Sequence, residues 1–286
     1  MTRKSYLTAP AVLALLCAAS APLAAQQAPV PPGFTSIFDG KTLKGWRGDM
    51  SIWSVRDGAI TGASDKVVEN TTFLILNKKY PNFEIHFKYR FPTQVGNSGL
   101  QFRSGEMAPN FAMAGMQSNV TPVGKSVERF GMLYEESAER QEMVLLGQRA
   151  EITRTTAAGG GQGRIVRTVL ATTNPREAVV NAVRPYPEWN EDVLIVHGNH
   201  MVHAINGLIA FDATDKDPLG ATDGWIGLQF HHGPAFTVQF KDFVIKPLRS
   251  FPNIAGRFIT KSGPAPEPHV TYKDSTKVNL PDTPLP

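Results

Sequence analysis

Four short stretches of this chain place polar and titratable side chains on patterns that could bind a ligand or move a proton. After the turn Gly96-Asn97-Ser98-Gly99, Leu100 and Phe102 share one strand face while Gln101 and Arg103 share the other. Asn97, Gln101 and Arg103 therefore form a hydrogen-bonding surface beside a glycine-rich turn. In Trp225 to His231, the apolar Ile226, Leu228 and Phe230 face one way, and Gln229 and His231 face the other. His231 reads equally as a base or ligand and as an exposed strand-end histidine. His203 alternates with Met201 and Ile205, which favours a packed histidine, yet a ring that titrates near neutrality stays a candidate base. In Gly131-Met132-Leu133-Tyr134-Glu135-Glu136, Tyr134 could donate a proton and Glu135 accept one, while Glu136 reads as a surface charge.

Two other clusters read as ordinary loops. Asp212, Asp215 and Asp217 lack the spacing and closing Glu of a calcium loop, so a solvated loop is favoured over a cation site. The run Gly159-Gly160-Gly161 has no following Gly-Lys-Ser/Thr or helix to make a phosphate cradle, and reads as a hairpin tip.

The elements that must position these groups are strands. Phe83, Ile85, Phe87, Tyr89 and Phe91 alternate with Glu84, His86, Lys88 and Arg90, the period of a half-buried strand ended by Pro92. Phe73 to Leu76 reads as a buried strand. Asp57-Gly58 and Asn206-Gly207 are hairpin signals that accommodate positive φ. From Phe236 to Ile245 the apolar phase shifts, which requires a bulge near Lys241-Asp242. Glu106 to Gly131 reads as irregular loop with a short strand from Gly115 to Val120. Many short strands, frequent Gly turns and no long amphipathic helix predict an all-β fold, an antiparallel β-sandwich.

Composition narrows the function classes. Arg3 and Lys4, an apolar run from Ala9 to Ala19 and small residues through Ala25 predict a signal peptide over residues 1–25, and hence export to the periplasm or medium. The apolar run is short of the roughly 20 residues of a membrane span. Cys17, the one cysteine, falls within that segment, so a mature chain has neither disulfide nor thiol nucleophile. Removing Arg3 and Lys4 takes the net charge from +4 to 4 − 2 = +2, with no basic cluster to favour nucleic acid or an anionic membrane. One β domain over residues 33–248 is expected, followed by a Pro-rich tail over 249–286 that lies poorly ordered or across the surface.

The ordered set GFTSIFDGKTLKGW, WSVRDGAITG, NFEIHF, GNSGLQFRS, GMLYEE, EWN, the Gly198-Asn199-His200 to Asn206-Gly207 stretch and IGLQFHHG resembles the 3-keto-disaccharide hydrolase family, also described as 3-keto-glucoside 1,2-lyase and 3-keto-2-hydroxy-glucal hydratase. The resemblance runs from about Gly33 to Lys246 and implies a concanavalin A-like jelly roll. It also implies a carbohydrate substrate, a glycoside whose C3 hydroxyl is already a ketone. That ketone acidifies C2–H, so a base can remove the proton, the C1 substituent leaves, and water adds back. Such a site needs a base, a donor or divalent cation at the ketone, and an acid at the leaving oxygen. On this reading Arg103 binds sugar hydroxyls or polarises the ketone, and Gln117 contacts sugar. Asn119 stands where relatives are often acidic, and Val144-Leu145-Leu146-Gly147 where they often carry arginines, which puts specificity in question. The alternatives are a noncatalytic carbohydrate-binding module and, more remotely, a retaining glucanase, whose paired-carboxylate strand motif is absent.

Overall fold

The computed structural model describes residues 29–122, 129–156, 163–266 and 270–273. The expected signal peptide and the Gly159-Gly160-Gly161 tip lie outside the described residues. In chain order the strands are β1 (Thr35–Ser36), β2 (Trp46–Arg47), β3 (Trp53–Arg56), β4 (Ala59–Ser64), β5 (Thr72–Leu76), β6 (Phe83–Arg90), β7 (Ser98–Met107), β8 (Ala112–Val120) and β9 (Leu133–Glu136). There follow β10 (Gln141–Val144), β11 (Gln148–Arg154), β12 (Ile165–Thr172), the helix α1 (Arg176–Asn181), β13 (Asn190–His197), β14 (His200–Ile205), β15 (Leu208–Asp215), β16 (Trp225–Phe230), β17 (Phe236–Pro247) and β18 (Val270–Lys273).

These strands form two sheets. The larger has the order β18-β12-β11-β15-β14-β13-β6-β17-β4-β3, with β1 also on β17, and the smaller has the order β10-β9-β8-β7-β16-β5-β2. The result is the expected jelly-roll β-sandwich. One pair departs from the antiparallel expectation, since β11 and β15 run parallel.

Alternation decides what lies between the sheets. Phe83, Ile85, Phe87 and Tyr89 on β6 meet Leu100 and Phe102 on β7, and Leu228 and Phe230 on β16, in one core. Each such fully buried side chain contributes on the order of 1.5–3 kcal/mol. The signalled turns form as expected, with Asp57 and Gly58 at φ 50° and 74°, and Asn206 and Gly207 at φ 47° and 83°. The bulge in β17 falls between Lys241 and Val244, with Asp242 at φ 56°. The segment read as irregular after Glu106 is instead a hairpin, because β7 continues to Met107 and β8 begins at Ala112.

Residues beyond Leu248 that are described pack on the larger sheet. Phe251 stacks on His200 with ring centroids 4.1 Å apart, and the Arg257 guanidinium binds the Glu84 carboxylate. Asn174 Nδ2 donates to Ile259 O at 3.0 Å, and β18 adds to the edge at β12.

Candidate active site on the smaller sheet

The register of β16, β7, β8 and β9 gathers a band of polar side chains on one face. Gln101 lies opposite Gln117, and Gln117 opposite Tyr134; Gly99 lies opposite Asn119, and Gly115 opposite Glu136. Leu100, Phe102, Met116 and Leu133 point the other way, into the core. A polar relay crosses the face: Gln117 Nε2 donates to Asn119 Oδ1 at 2.9 Å and to Gln229 Oε1 at 3.3 Å, and Gln229 Nε2 donates to Glu136 Oε2 at 2.8 Å. Asn119 Nδ2 donates to Arg129 O at 2.8 Å, tethering that residue beside the band. The buried side-chain carbonyl oxygens of Gln101 and Gln117 have no protein partner.

Gln229 and Glu136 sit three strand steps apart, about 14 Å on a flat sheet. Their contact requires the sheet to curl toward this face. Register breaks in the β7–β8 pair after Phe102 and in the β16–β7 pair between Trp225 and Gly227 supply that curvature. Gly99 matters for a different reason. A Cβ there would lie 2.6 Å from the Gln117 side chain, so its absence lets Gln117 lie across the strand toward Gln229.

The titrating groups on this face are shifted. Burial raises the Glu136 carboxyl above the usual carboxylate range, against the opposing Gln229 hydrogen bond and the charges of His232 and Arg129. Burial likewise lifts the Tyr134 phenol to about 12, with Glu136 and Glu142 adding to the rise, so it stays a neutral donor. Arg129 lies 5.9 Å from the Tyr134 ring and 3.5 Å from Glu142 Oε1. Burial depresses His231, and its Nδ1 contacts His232 O at 2.7 Å. The two rings stack at 4.1 Å, and the exposed His232 meets Thr71 Oγ1 at 3.1 Å.

The sequence-based candidates therefore separate. Gln101, Gln117, Gln229 and Tyr134 come together on one face. Asn97 lies in the turn just before β7, with a buried Oδ1 that has no partner.

Three others go elsewhere. His203 is sealed in the core at 0% exposure, its Nε2 2.8 Å from Asp192 Oδ2, so it cannot serve as the base. Glu135 points inward, the opposite way from Tyr134, where Arg140 binds it from Nε and Nη2 at 3.0 and 2.6 Å. Its carboxylate is committed to an ion pair and not to substrate. Arg103 was expected to share a face with Gln101. The bulge after Phe102 instead puts Arg103 at φ 46° and turns its guanidinium onto Pro81 O, at 3.2 and 2.9 Å.

The residue that sequence reasoning missed is Glu136. Strict alternation along Leu133 to Glu136 was the available signal, since it places Glu135 and Glu136 on opposite faces and Glu136 beside Tyr134. The aspartates read as a solvated loop are also revised. Asp212, Asp215 and Asp217 are buried and paired with Arg149, Arg140 and Arg154. Among the described residues, no group of three or more His, Cys, Asp or Glu could hold a metal ion.

A family model described as a 3-keto-alpha-glucoside-1,2-lyase-like domain matches residues 33–246. A 3-keto-disaccharide hydrolase of Bacteroides thetaiotaomicron is 33% identical over 84 residues, which cover 26% of this chain and 29% of that protein's length. Among solved structures, a protein from Parabacteroides distasonis provisionally described as a glycosyl hydrolase aligns at 20% identity over 76% of this chain and 94% of its own, with a TM-score of 0.48. Carbohydrate-binding module CBM66 from Bacillus subtilis aligns at 13% identity over 71% and 95%, with a TM-score of 0.41. At these scores the structural likenesses carry no chemistry.

Proposed function

The chain belongs to the 3-keto-alpha-glucoside-1,2-lyase-like family, and on that premise we propose that it cleaves 3-keto-glycosides on the curled face of the smaller sheet. The observation that carries this reading is Glu136, a half-buried carboxylate made more basic by burial and held in place by Gln229. In the reaction, Glu136 takes the proton from C2. The C2–H electron pair delocalises onto the C3 oxygen, and the neutral Tyr134 hydroxyl and the Arg129 charge stabilise that oxyanion. The pair then forms the C1–C2 double bond as the C1–O bond breaks, and the proton held by Glu136 goes to the leaving oxygen. Water adds to C1 of the resulting enone, with neutral His231 accepting the water proton, and a proton returns to C2. The sum is hydrolysis without redox change. Gln101 and Gln117 hold sugar hydroxyls through their unpaired carbonyls.

The test is to incubate the protein with a 3-keto-disaccharide and with its unoxidised parent. Release of 3-keto-glucose from the first alone is expected. Equal cleavage of both, or of neither, contradicts the proposal, and saturable binding without turnover would assign the amide-rich face to noncatalytic sugar binding.

A further inference from the structure

A pocket lies away from that face, at the end of the sandwich where β6, β8 and β13 meet, and it has the makings of a ligand site. It encloses about 150 Å³ and is lined by Tyr89, Arg90, Gln94, Arg184, Tyr186 and Asn190, with Phe91, Thr121 and Pro122 among its apolar and backbone walls. None of these residues belongs to the band around Glu136.

Three features of the lining point to a ligand. The first is Tyr89, which lines the pocket yet is 1% exposed, and whose hydroxyl has no hydrogen-bond partner. A buried hydroxyl without a partner costs about 1–3 kcal/mol, a penalty that a bound group would remove.

The second is charge. Arg90 and Arg184 both line the pocket, and neither pairs with a carboxylate among the described residues. Their hydrogen bonds go to neutral acceptors: Arg90 to Gln239 Oε1 and Pro187 O, and Arg184 to Trp189 O. No Asp or Glu lines the pocket, so the charges on its wall are the two guanidinium groups, with the buried Asp192 acting on the Tyr89 phenol from behind.

The third is an aromatic wall. Tyr186 is 46% exposed, and Arg90 lies between its ring and that of Trp189, at 5.3 and 4.2 Å from the two centroids. Stacked in this way the guanidinium is fixed in place and its remaining N–H groups are presented to a ligand.

A planar carboxylate matches a guanidinium fork, a pyranose ring matches an exposed tyrosine edge or face, and a ring hydroxyl matches the Tyr89 phenol. We infer that this pocket binds a carboxylate-bearing monosaccharide of the hexuronate type, at a site separate from the sheet face.

The experiment titrates the full protein with D-glucuronate and with D-glucose, following binding by calorimetry and by ligand-observed magnetic resonance. Glucuronate is expected to bind at least tenfold more tightly than glucose. Arg184→Gln, which removes a surface charge, is expected to weaken glucuronate binding roughly tenfold; Tyr89→Phe, which keeps the buried ring, is expected to weaken it severalfold; Glu136→Gln is expected to leave it unchanged. Equal binding of the two sugars, no binding of either at 10 mM (an order-of-magnitude ceiling for a weak sugar site), indifference to Arg184→Gln, or loss on Glu136→Gln would each overturn the inference. The last of these would place the acid on the sheet face instead.

Discussion

Gln229 Nε2 donates to Glu136 Oε2 at 2.8 Å, joining β16 to β9 across two intervening strands. This one bond links the curvature of the sheet to the chemistry of its face. Without the bulges the two side chains would not meet, and Glu136 would be a solvated surface carboxylate. With them it is half-buried, more basic, and fixed beside Tyr134.

Glu136→Gln tests the base directly. Removing a general base typically costs about 10²–10⁴ in rate, so kcat/KM for 3-keto-glucose release should fall by that order, with thermal stability little changed. An unaltered rate would remove Glu136 from the reaction.

The pH profile follows from the same carboxylate. Glu136 must be ionised to act, and burial raises its pKa. The acid limb of kcat/KM should therefore lie above the ordinary carboxylate range near 4.5. The Gln229 hydrogen bond works against the rise, so Gln229→Leu should move that limb to still higher pH. Stability moves oppositely. A carboxyl with a raised folded-state pKa contributes most below its unfolded value, and the contribution is lost as pH climbs through the folded pKa. Denaturation midpoints measured across this window in wild type and Glu136→Gln would show the difference.

His203→Ala separates structure from catalysis. The ring is buried against Asp192, and its removal leaves that carboxylate without its partner. About 3 kcal/mol or more of stability should be lost, out of a typical 5–15 kcal/mol. The folded fraction should retain wild-type kcat. A selective loss of kcat, with the denaturation midpoint unchanged, would return His203 to the active site.

How much of this was legible in the sequence depended on whether a feature was local. The alternation of β6, the turns at Asp57-Gly58 and Asn206-Gly207, and even the bulge at Lys241-Asp242 are written in neighbouring residues, and they appear where the pattern places them. The shared face of Gln101, Gln117, Tyr134 and Gln229 required only that alternation hold within each strand. Arg103 was misplaced because the β7 bulge has no compositional mark: Phe102-Arg103-Ser104 alternates as well as any strand. Glu135 was misread because its partner Arg140 and their neighbour Asp215 come from other elements, 5 and 80 residues away. Sequence shows a charge; only the fold shows whether it is already paired.

That ion-pair network makes its own prediction. Arg140 is bound by Glu135 and Asp215, and Asp217 lies 3.6 Å away, all largely buried. Arg140→Met keeps the volume but strands the carboxylates, and should cost about 3–5 kcal/mol at neutral pH. The deficit should shrink as pH falls and the stranded carboxylates protonate. Chemical denaturation of wild type and variant at neutral and mildly acidic pH measures both effects. A pH-independent deficit would mean that lost packing, and not stranded charge, is responsible.

Gly99→Ala is the smallest change that should disturb the site without touching a functional group. The backbone at Gly99 is not in the left-handed region, so alanine meets no conformational penalty there. The effect is spatial: the new Cβ would lie 2.6 Å from Cγ and Cδ of Gln117 and 2.7 Å from Ser118 O. Gln117 must move off the strand, which breaks its bonds to Asn119 and Gln229 and frees Gln229 to rotate away from Glu136. Sugar binding and base positioning are then both lost, so KM should rise and kcat fall, together by about 10-fold or more, as small misplacements of reacting groups commonly do. The double variant Gly99→Ala/Gln117→Ala removes the clash with the Gln117 side chain along with that side chain, and leaves the contact with Ser118 O. If Gln117 acts mainly by holding Gln229 in place, the double variant should be no better than the single. Recovery of wild-type kcat in the double variant would show instead that Gln229 and Glu136 hold their geometry without Gln117, and that Gln117 contributes only to binding.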